Sequence, residues 1–251
     1  MNDMIRYSWI LGLMVIAALG WAVFEYVQFR GRLLKSKELI EEATPFSFEP
    51  AGTPPSRILV AGDSTAVGVG SAGRDSIAGR VHGLYPEASL RNIGVSGMRT
   101  AGLEDALRGV QGDKFDVVIL QIGGNDIVQR TSLDDLKRSI GEALDIAHGL
   151  GRQVVLLTSG DVGSALILPR ITASFFTKRT LLVRDIFRKA ATTRGTAYVD
   201  LFQEKSVDPF AIDPDRYYAA DYFHPSAEGY GVWFERVGPV VQQAIENGRQ
   251  D

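Results

Sequence analysis

Five short apolar segments alternate with helical patterns after residue 56, and this alternation constrains the fold most. The apolar segments are Arg57–Ala61, Ser89–Ile93, Phe115–Ile122, Gln153–Thr158 and Thr196–Leu201. Helical patterns occupy the gaps, at about 76–85, 100–110, 132–149 and 178–194, and a last helix is expected from Pro225 to about Asn247. Continuous apolar runs are typical of strands that are buried on both faces, as in a parallel sheet. The sequence therefore predicts an α/β fold, a three-layer α/β/α sandwich with a five-stranded parallel sheet.

The composition excludes several classes of function. The 251 residues carry a formal net charge of −3, so the chain lacks the basic surface of a nucleic-acid-binding protein, and no nucleic acid is expected as a partner. The absence of cysteine excludes disulfides, thiol nucleophiles and Cys-ligated zinc. The three histidines, His82, His148 and His224, are not spaced as metal ligands, so no metal is expected.

One glycine motif resembles a dinucleotide-binding fingerprint but stands in the wrong place. Residues Gly68–Gly73 read GVGSAG, whereas the fingerprint needs its glycines directly after a strand and an acid at the end of the next strand. Here the strand ends several residues earlier, and Asn92 closes the second strand. We therefore expect no cofactor, and we interpret this segment as a flexible loop beside Ser64 that shapes the substrate pocket.

The N-terminal segment has the composition of a membrane anchor. Residues Ser8–Phe24 carry no charge over 17 positions, and a helix of about 20 residues spans the hydrocarbon core of a bilayer. Trp9, Trp21 and Tyr26 lie near the ends of this run, where interfacial aromatic residues are typical. We expect a single-pass transmembrane anchor over residues 1–29.

Two alternatives to an anchor are a cleaved signal peptide and a buried core helix. Arg6 and the small residues around Ala18–Gly20 fit the signal peptide, while the lack of a polar face disfavours the core helix. The basic residues after the run, Arg30, Arg32, Lys35 and Lys37, favour a cytoplasmic C-terminal domain. A long domain crosses largely regardless of such charges, so the side of the membrane stays open.

The remainder of the chain divides into a connecting segment and one folded domain. Residues 30–55 are expected to form a polar stalk, which can continue the first helix to about residue 43, and a linker rich in proline. Pro45, Pro50, Pro54 and Pro55 disfavour helix and sheet in that linker. The folded domain is expected over residues 56–251.

Four polar clusters fall where active sites of parallel sheets lie. Gly62–Thr65, Asn92–Gly97 and Gly123–Asp126 follow the first three strands, and Asp221–Pro225 precedes the last helix. Loops at the carboxyl ends of parallel strands meet at one edge of the sheet. The four clusters are therefore expected to converge on one site.

These clusters contain the groups that ester chemistry needs. Ser64 supplies a nucleophilic hydroxyl, His224 a base, and Asp221, three residues earlier, a carboxylate to orient the imidazole. The side chain of Asn125 and the backbone N–H of Gly97 can stabilise a developing oxyanion. The residues thus predict a serine hydrolase active site.

Two further acids in the clusters have structural interpretations. Asp63 is expected to accept hydrogen bonds from loop N–H groups, and Asp126 is expected to cap the segment that follows it.

The four clusters, in this order, resemble the sequence blocks of the SGNH hydrolase superfamily, also called the GDSL esterase/lipase family. GDST resembles the nucleophile block, NIGVSG the second block, GGND the third and DYFHP the last. The resemblance covers about residues 57–240 and departs at Thr65, where the family has leucine. It implies a flavodoxin-like sandwich, no metal, and ester or thioester hydrolysis through an acyl-serine intermediate. It assigns Ser64, Asp221 and His224 as catalytic, and Ser64, Gly97 and Asn125 as the oxyanion hole.

The substrate class and two rival functions remain open. The anchor favours a lipid or envelope-associated ester, such as a lysophospholipid or an acetylated glycan. An O-acyltransferase and a non-catalytic scaffold with the same fold are the alternatives, and the oligomeric state is unknown. The aromatic segment 203–223 and the apolar stretch Ala165–Phe176 either set acyl preference, through Tyr218 and Phe175, or pack against the domain.

Overall fold

A computed structural model describes residues 2–110 and 112–250 of the chain. The side chains of residues 2–6, 8, 249 and 250 lie outside this description, and so do Met1, Gln111 and Asp251. The role of Arg6 in a signal peptide and the expected domain ends at Met1 and Asp251 therefore fall outside the described residues.

The core is a parallel sheet of five strands, as the sequence predicts. The strands are β1 (Arg57–Gly62), β2 (Ser89–Asn92), β3 (Phe115–Gln121), β4 (Gly151–Leu157) and β5 (Ala197–Val199). They pair in the order β2-β1-β3-β4-β5, and every pairing is parallel. Strand β3 lies at the centre because its long apolar run can be covered on both faces.

Helices cover both faces of the sheet and complete the three-layer α/β/α sandwich. The long helices are α1 (Asn2–Glu42), α3 (Ile77–Leu84), α4 (Gly102–Arg108), α6 (Leu133–Leu150), α7 (Ala173–Arg194) and α10 (Ala227–Gln250). The short helices are α2 (Ser64–Val67), α5 (Gly124–Val128), α8 (Pro209–Ile212) and α9 (Pro214–Tyr217). Three 3-10 turns cover Gly73–Asp75, Val162–Ser164 and Arg170–Thr172.

Alternation along β3 separates the two cores. Val117 and Ile119 pack with buried residues of α3 and α10 on one face. Val118 and Leu120 pack with α4, α6 and α7 on the other face. Both faces of the strand are thus buried, which is why its sequence shows no polar alternation.

Helix α7 begins at Ala173, five residues before the expected start at about 178. Gly163 lies against the first turn of α7, where an added Cβ would stand 2.2 Å from Thr177 Oγ1. Thr177 Oγ1 also donates to the Asp161 carboxylate at 2.8 Å. These tertiary contacts stabilise an additional turn that local sequence does not indicate.

Helix α1 contains both the apolar run and the expected stalk. The segment Trp9–Glu42 is long and apolar enough to cross a membrane, with a mean hydropathy of 2.0 and no buried residue in its apolar window. By length and composition it fits a membrane anchor or a signal sequence.

The stalk end of α1 packs against the folded domain. Phe29, Arg32, Ser36 and Leu39 are less exposed than their neighbours, and Ala43 continues the series just beyond the helix. Their spacing of three and four residues places them on one face of a helix. Residues of the expected stalk thus contact the folded domain.

Residues 46–49 of the expected linker lie along β2. Phe48 and Leu90 exchange backbone hydrogen bonds of 2.8 Å in an antiparallel bridge. Ser47 Oγ accepts from the N–H of Asn92 at 3.0 Å, and the Ser89 hydroxyl donates to Glu49 at 2.5 Å. We call residues 46–49 the strap. The boundaries between stalk, linker and catalytic domain remain a prediction.

Candidate active site

Ser64 lies at the turn from β1 into α2. It is the first residue of α2, and Asp63 caps the helix by accepting from the backbone N–H of Thr65 at 2.9 Å. Gly62 makes the turn possible, because an added Cβ there would stand 1.8 Å from the carbonyl oxygen of Gln121. The geometry holds Ser64 at the carboxyl end of the sheet, against the wall of a pocket.

Thr65 has a structural role in this turn. Its hydroxyl donates to the Asp63 carboxylate at 2.7 Å, a bond that leucine could not make. Burial raises the pKa of Asp63, although the two hydrogen bonds from Thr65 oppose the rise. Asp63 therefore holds the loop, in line with the structural interpretation from the sequence.

The segment before α10 brings Asp221 and His224 together. Asp221 Oδ2 lies 2.6 Å from His224 Nδ1, and Asp221 Oδ1 accepts from the N–H groups of Phe223 and His224 at 3.0 Å each. The exposed fractions of Asp221 and His224 are 0% and 2%. Burial acts to raise the pKa of Asp221, but the bond to His224 and these N–H groups outweigh it and lower the pKa.

His224 reaches the serine with its second nitrogen. Its Nε2 lies 2.9 Å from Ser64 Oγ, across 160 residues of sequence. With the Nδ1 proton directed at Asp221, Nε2 is free to accept the serine hydroxyl. The three side chains thus form a continuous hydrogen-bonded chain from carboxylate to imidazole to hydroxyl.

Gly97 lies in the loop after β2, and Asn125 is the second residue of the short helix α5 after β3. The side-chain amide of Asn125 donates to the carbonyl of Met98, the residue after Gly97, at 3.0 Å. Gly97 adopts φ +83°, a conformation that glycine favours. The structure therefore places these two segments side by side, as the convergence of clusters predicts.

Asp126, also in α5, joins this helix to the segment after β2. It is fully buried, and its Oδ2 accepts from the backbone N–H of Thr100 at 2.8 Å and from the Thr100 hydroxyl at 2.7 Å. The sequence interpretation of Asp126 as a local cap is wrong in this respect, because its partner lies 26 residues earlier. Only the adjacency of Asp126 to Asn125 in the GGND cluster could have indicated this contact.

The pocket beside Ser64 has a volume of about 630 Å³, including the space open to solvent. Its wall includes Ser64, Asn125 and His224. Seven further wall residues are apolar or aromatic, namely Ile122, Val162, Ala165, Phe210, Tyr218, Phe223 and Trp233. Tyr218 thus lines the pocket, whereas Phe175 is 51% exposed and lies outside its wall.

Two buried carboxylates in the pocket wall were not anticipated from the sequence. Burial and then the nearby charge of Asp161 raise the pKa of Asp208 to about 6, against the hydrogen bond from the Phe210 N–H. Burial also raises the pKa of Asp161, although Thr177 and the Gly163 N–H oppose it. Both lie in loops after strands, the one signal that could have identified them.

The glycine loop Gly68–Gly73 packs behind the histidine. A Cβ added at Gly70 would stand 2.4 Å from the carbonyl oxygen of Pro225 and 3.2 Å from His224 Cβ. The loop supports the His224 segment, and its residues are not part of the pocket wall described above. The expectation that it shapes the pocket directly was therefore wrong.

The arrangement described here contains no evident metal centre. Among the residues that the structure describes, no three His, Asp or Glu side chains are grouped closely enough to hold a metal ion.

A family model matches the part of the chain that holds these residues. The model for the GDSL-like lipase/acylhydrolase family matches residues 60–232. A GDSL-like esterase of Mycobacterium tuberculosis is 25% identical over 199 residues, a match that spans 75% of this chain. The match covers 62% of that relative, so this chain spans less than two thirds of its length.

Solved structures share the fold. The structure of TesA has a TM-score of 0.62 at 20% identity, covering 75% of this chain and 99% of that chain. A catalytic mutant of Axe2, an acetylxylan esterase from Geobacillus stearothermophilus, has a TM-score of 0.56 at 18% identity. That comparison covers 77% of this chain and 95% of the esterase. At such identities the likeness shows the fold.

Proposed function

Because the chain belongs to the GDSL-like lipase/acylhydrolase family, we propose that it is a serine esterase that hydrolyses carboxylic esters through an acyl-serine intermediate. One observation carries this proposal. The imidazole of His224 lies within hydrogen-bond distance of both Ser64 Oγ, at 2.9 Å, and Asp221 Oδ2, at 2.6 Å. This is the geometry that general-base activation of a serine requires.

In the first step, Ser64 Oγ attacks the acyl carbon of the ester. His224 Nε2 takes the serine proton, the Oγ–C bond forms, and the bond from the acyl carbon to the alcohol oxygen breaks. His224 then gives the proton to the departing alcohol. In the second step, water attacks the acyl-enzyme, its proton passes through His224 to Ser64 Oγ, and the carboxylic acid leaves.

Asp221 holds the imidazole in the tautomer that this sequence needs. It is buried, and its lowered pKa keeps it ionised at neutral pH. An ionised carboxylate beside Nδ1 stabilises the imidazolium that forms after proton transfer. The oxyanion is stabilised by the N–H groups of Ser64 and Gly97 and by the side chain of Asn125.

The pocket supports an ester with an apolar acyl group, and the relatives support ester hydrolysis. The surface of the wall next to Ser64 is mostly apolar, and such a lining suits a hydrocarbon chain. The M. tuberculosis relative is described as an esterase, and Axe2 as an acetylxylan esterase. We propose a lipid or envelope-associated ester as the substrate class.

Helix α1 supports a place for the enzyme at a membrane. Its apolar segment is long enough to span a bilayer, and we propose that it remains as a single-pass anchor. The basic residues after it favour a cytoplasmic catalytic domain. A reporter fused after Asp251 that is active only outside the cytoplasm would contradict this orientation.

The test compares the full-length chain in detergent with its Ser64→Ala variant. We expect the wild type to hydrolyse p-nitrophenyl esters, with a chain-length optimum between acetate and long acyl chains, and to react with a fluorophosphonate probe. The variant should lose the labelling and at least about 10⁴-fold of the rate. Ser206→Ala, at an exposed serine outside the site, is the matched control and should keep both.

Two other outcomes would favour the alternatives. Labelling of Ser64 without ester turnover would point to an O-acyltransferase, and adding alcohol acceptors to the assay would then restore product formation. A well-folded wild type that shows neither labelling nor turnover would contradict the enzyme proposal and favour a scaffold.

A further inference from the structure

An exposed apolar stripe runs from the 3-10 turn before α7 into α7. Ile171, in that turn, and Phe175 and Leu182, in α7, have exposed fractions of 84%, 51% and 48%, and Lys178 is exposed between the last two. Spacings of three and four residues place Phe175, Lys178 and Leu182 on one face of α7. Exposed apolar side chains with basic residues among them are typical of surfaces that contact a membrane interface.

This stripe is joined to the pocket wall through a short loop. Val162 and Ala165 line the pocket, and Ile171 follows only six residues after Ala165. Leu166, between them, accepts a hydrogen bond from the guanidinium of Arg32 on α1. The same guanidinium lies 4.9 Å from the ring centre of Tyr222, which stands between Asp221 and Phe223 in the sequence. Arg32 of the stalk therefore contacts two segments whose neighbouring residues line the pocket.

The length of α1 sets the height of this contact above a bilayer. Arg32 follows Phe24, the last residue of the apolar run, by eight residues. At 1.5 Å per residue, this separation corresponds to about 12 Å along the helix axis. The headgroup layer on each side of a bilayer is roughly 5–8 Å thick. The loop that Arg32 contacts would thus lie just above the headgroups.

We infer that Ile171, Phe175 and Leu182 form a membrane-contact surface, whose partner is the lipid bilayer that holds α1. The apolar side chains enter the interface, and Arg170 and Lys178 meet lipid phosphates. This inference rests on the proposed function and refines its substrate class. With the pocket loops at the surface, the substrate is an amphiphilic ester that moves from the bilayer into the pocket without crossing bulk water.

Because the chain has no cysteine, single-cysteine labelling provides a direct test. Phe175→Cys would carry an environment-sensitive fluorophore in the full-length protein, reconstituted in phosphatidylcholine/phosphatidylglycerol vesicles. Gly149→Cys is the control, because an added Cβ there meets nothing within 4 Å and it lies just before the amino end of β4. Nitroxide-labelled lipids should quench the probe at position 175 strongly and the probe at 149 little. Equal quenching at both positions would overturn the inference.

A second arm measures turnover and separates this inference from the esterase proposal. The double variant Ile171→Asp with Phe175→Asp should hydrolyse a long-chain ester presented in vesicles several-fold more slowly than the wild type. Its turnover of soluble p-nitrophenyl acetate should be unchanged. Leu84→Asp, at an exposed leucine at the end of α3, is the matched control and should leave both rates unchanged.

The outcomes of the two arms are distinguishable. Equal loss on both esters, or no loss on either, would contradict the membrane-contact surface. A wild type that hydrolyses neither ester would contradict the esterase proposal, while the quenching result would still decide whether the surface meets lipid.

Discussion

Asn125 has a hydrogen-bonding capacity that exceeds its observed contact. A side-chain amide has two N–H groups, and the bond to the Met98 carbonyl uses one of them. The second N–H is then available for a substrate oxygen. The bond to Met98 fixes the amide in place, so little reorganisation is needed when negative charge develops.

We expect Asn125→Ala to lower kcat by about 10²–10³, with a much smaller change in KM, because the lost bond is strongest in the transition state. Steady-state kinetics on p-nitrophenyl acetate would measure this. Fluorophosphonate labelling of Ser64 and an unchanged Tm would establish that the site is still assembled. A loss smaller than about tenfold would remove Asn125 from the oxyanion hole.

Asp208 should make stability depend on pH. Its pKa is raised to about 6 in the folded protein, so its carboxyl group ionises at a lower pH in the unfolded chain than in the folded one. The free energy of unfolding that depends on Asp208 is therefore highest below the unfolded pKa of about 3.9. It falls as pH rises and is lowest above about 6. The cost at neutral pH is at most about 3 kcal/mol.

We expect Asp208→Asn to flatten this dependence, because asparagine can still cap α8 through the Phe210 N–H but does not ionise. The difference in Tm between variant and wild type, in detergent, should move in favour of the variant as pH rises from about 4 to about 6. A difference that is constant over this range would show that Asp208 does not titrate there.

At the scale of elements, one buried contact joins the segments that follow β2 and β3. Asp126 accepts hydrogen bonds from both the N–H and the hydroxyl of Thr100. We expect this contact to hold Gly97 and Asn125 at a fixed separation, although Asp126 itself is not part of the pocket wall. In the proposed mechanism, Asp126 is then a positioning residue.

We expect Thr100→Val, which removes the hydroxyl and keeps the shape, to lower kcat about tenfold and leave KM nearly unchanged. Thr100→Ser, which restores the hydroxyl, should recover most of the rate. If both variants had wild-type kcat while the Tm of Thr100→Val fell, the contact would be structural only.

The sequence predicts those elements whose signal is local. The strands near Arg57, Phe115 and Gln153 contain continuous apolar runs, which indicate buried parallel strands. The predicted start of α6 near residue 132 is also correct, because Ser132 caps the helix and its hydroxyl accepts from the N–H of Asp135 at 3.1 Å. The convergence of the first three clusters follows from strand direction, whereas the cluster Asp221–Pro225 lies before the last helix and well after β5.

Features that depend on distant contacts were not accessible in this way. The additional turn of α7 requires Gly163, the strap requires the edge of β2, and the Asp126 bond requires Thr100. Proline-rich sequence around the strap indicates the absence of regular structure but not the absence of packing. Nothing in the local sequence distinguishes Arg32 from the other basic residues of the stalk, and only the tertiary structure shows that it contacts Tyr222.

For the whole molecule, the strap extends the folded unit beyond residue 56. The ring centres of Phe46 and Phe48 lie 5.4 Å and 4.3 Å from the ring centre of His82 on α3. A fragment that begins at Ser56 loses these contacts, and a fragment that begins at Thr44 keeps them. We expect the shorter fragment to have a Tm lower by several degrees, measured by thermal unfolding of the two fragments side by side. Equal Tm values would show that the strap adds nothing to stability.

The strap also governs how the protein behaves toward other copies of itself. Strand β2 ends the sheet, and a bare edge strand offers unpaired N–H and C=O groups to any extended chain. In the intact chain, Phe48 makes hydrogen bonds with the backbone N–H and C=O of Leu90, and the Ser47 hydroxyl accepts from the N–H of Asn92. Removal of the strap by cleavage of the chain between residue 49 and β1 would expose the edge of β2 to pairing with a strand from another molecule. We therefore expect soluble fragments without the strap to self-associate on concentration, and fragments that retain it to stay dispersed.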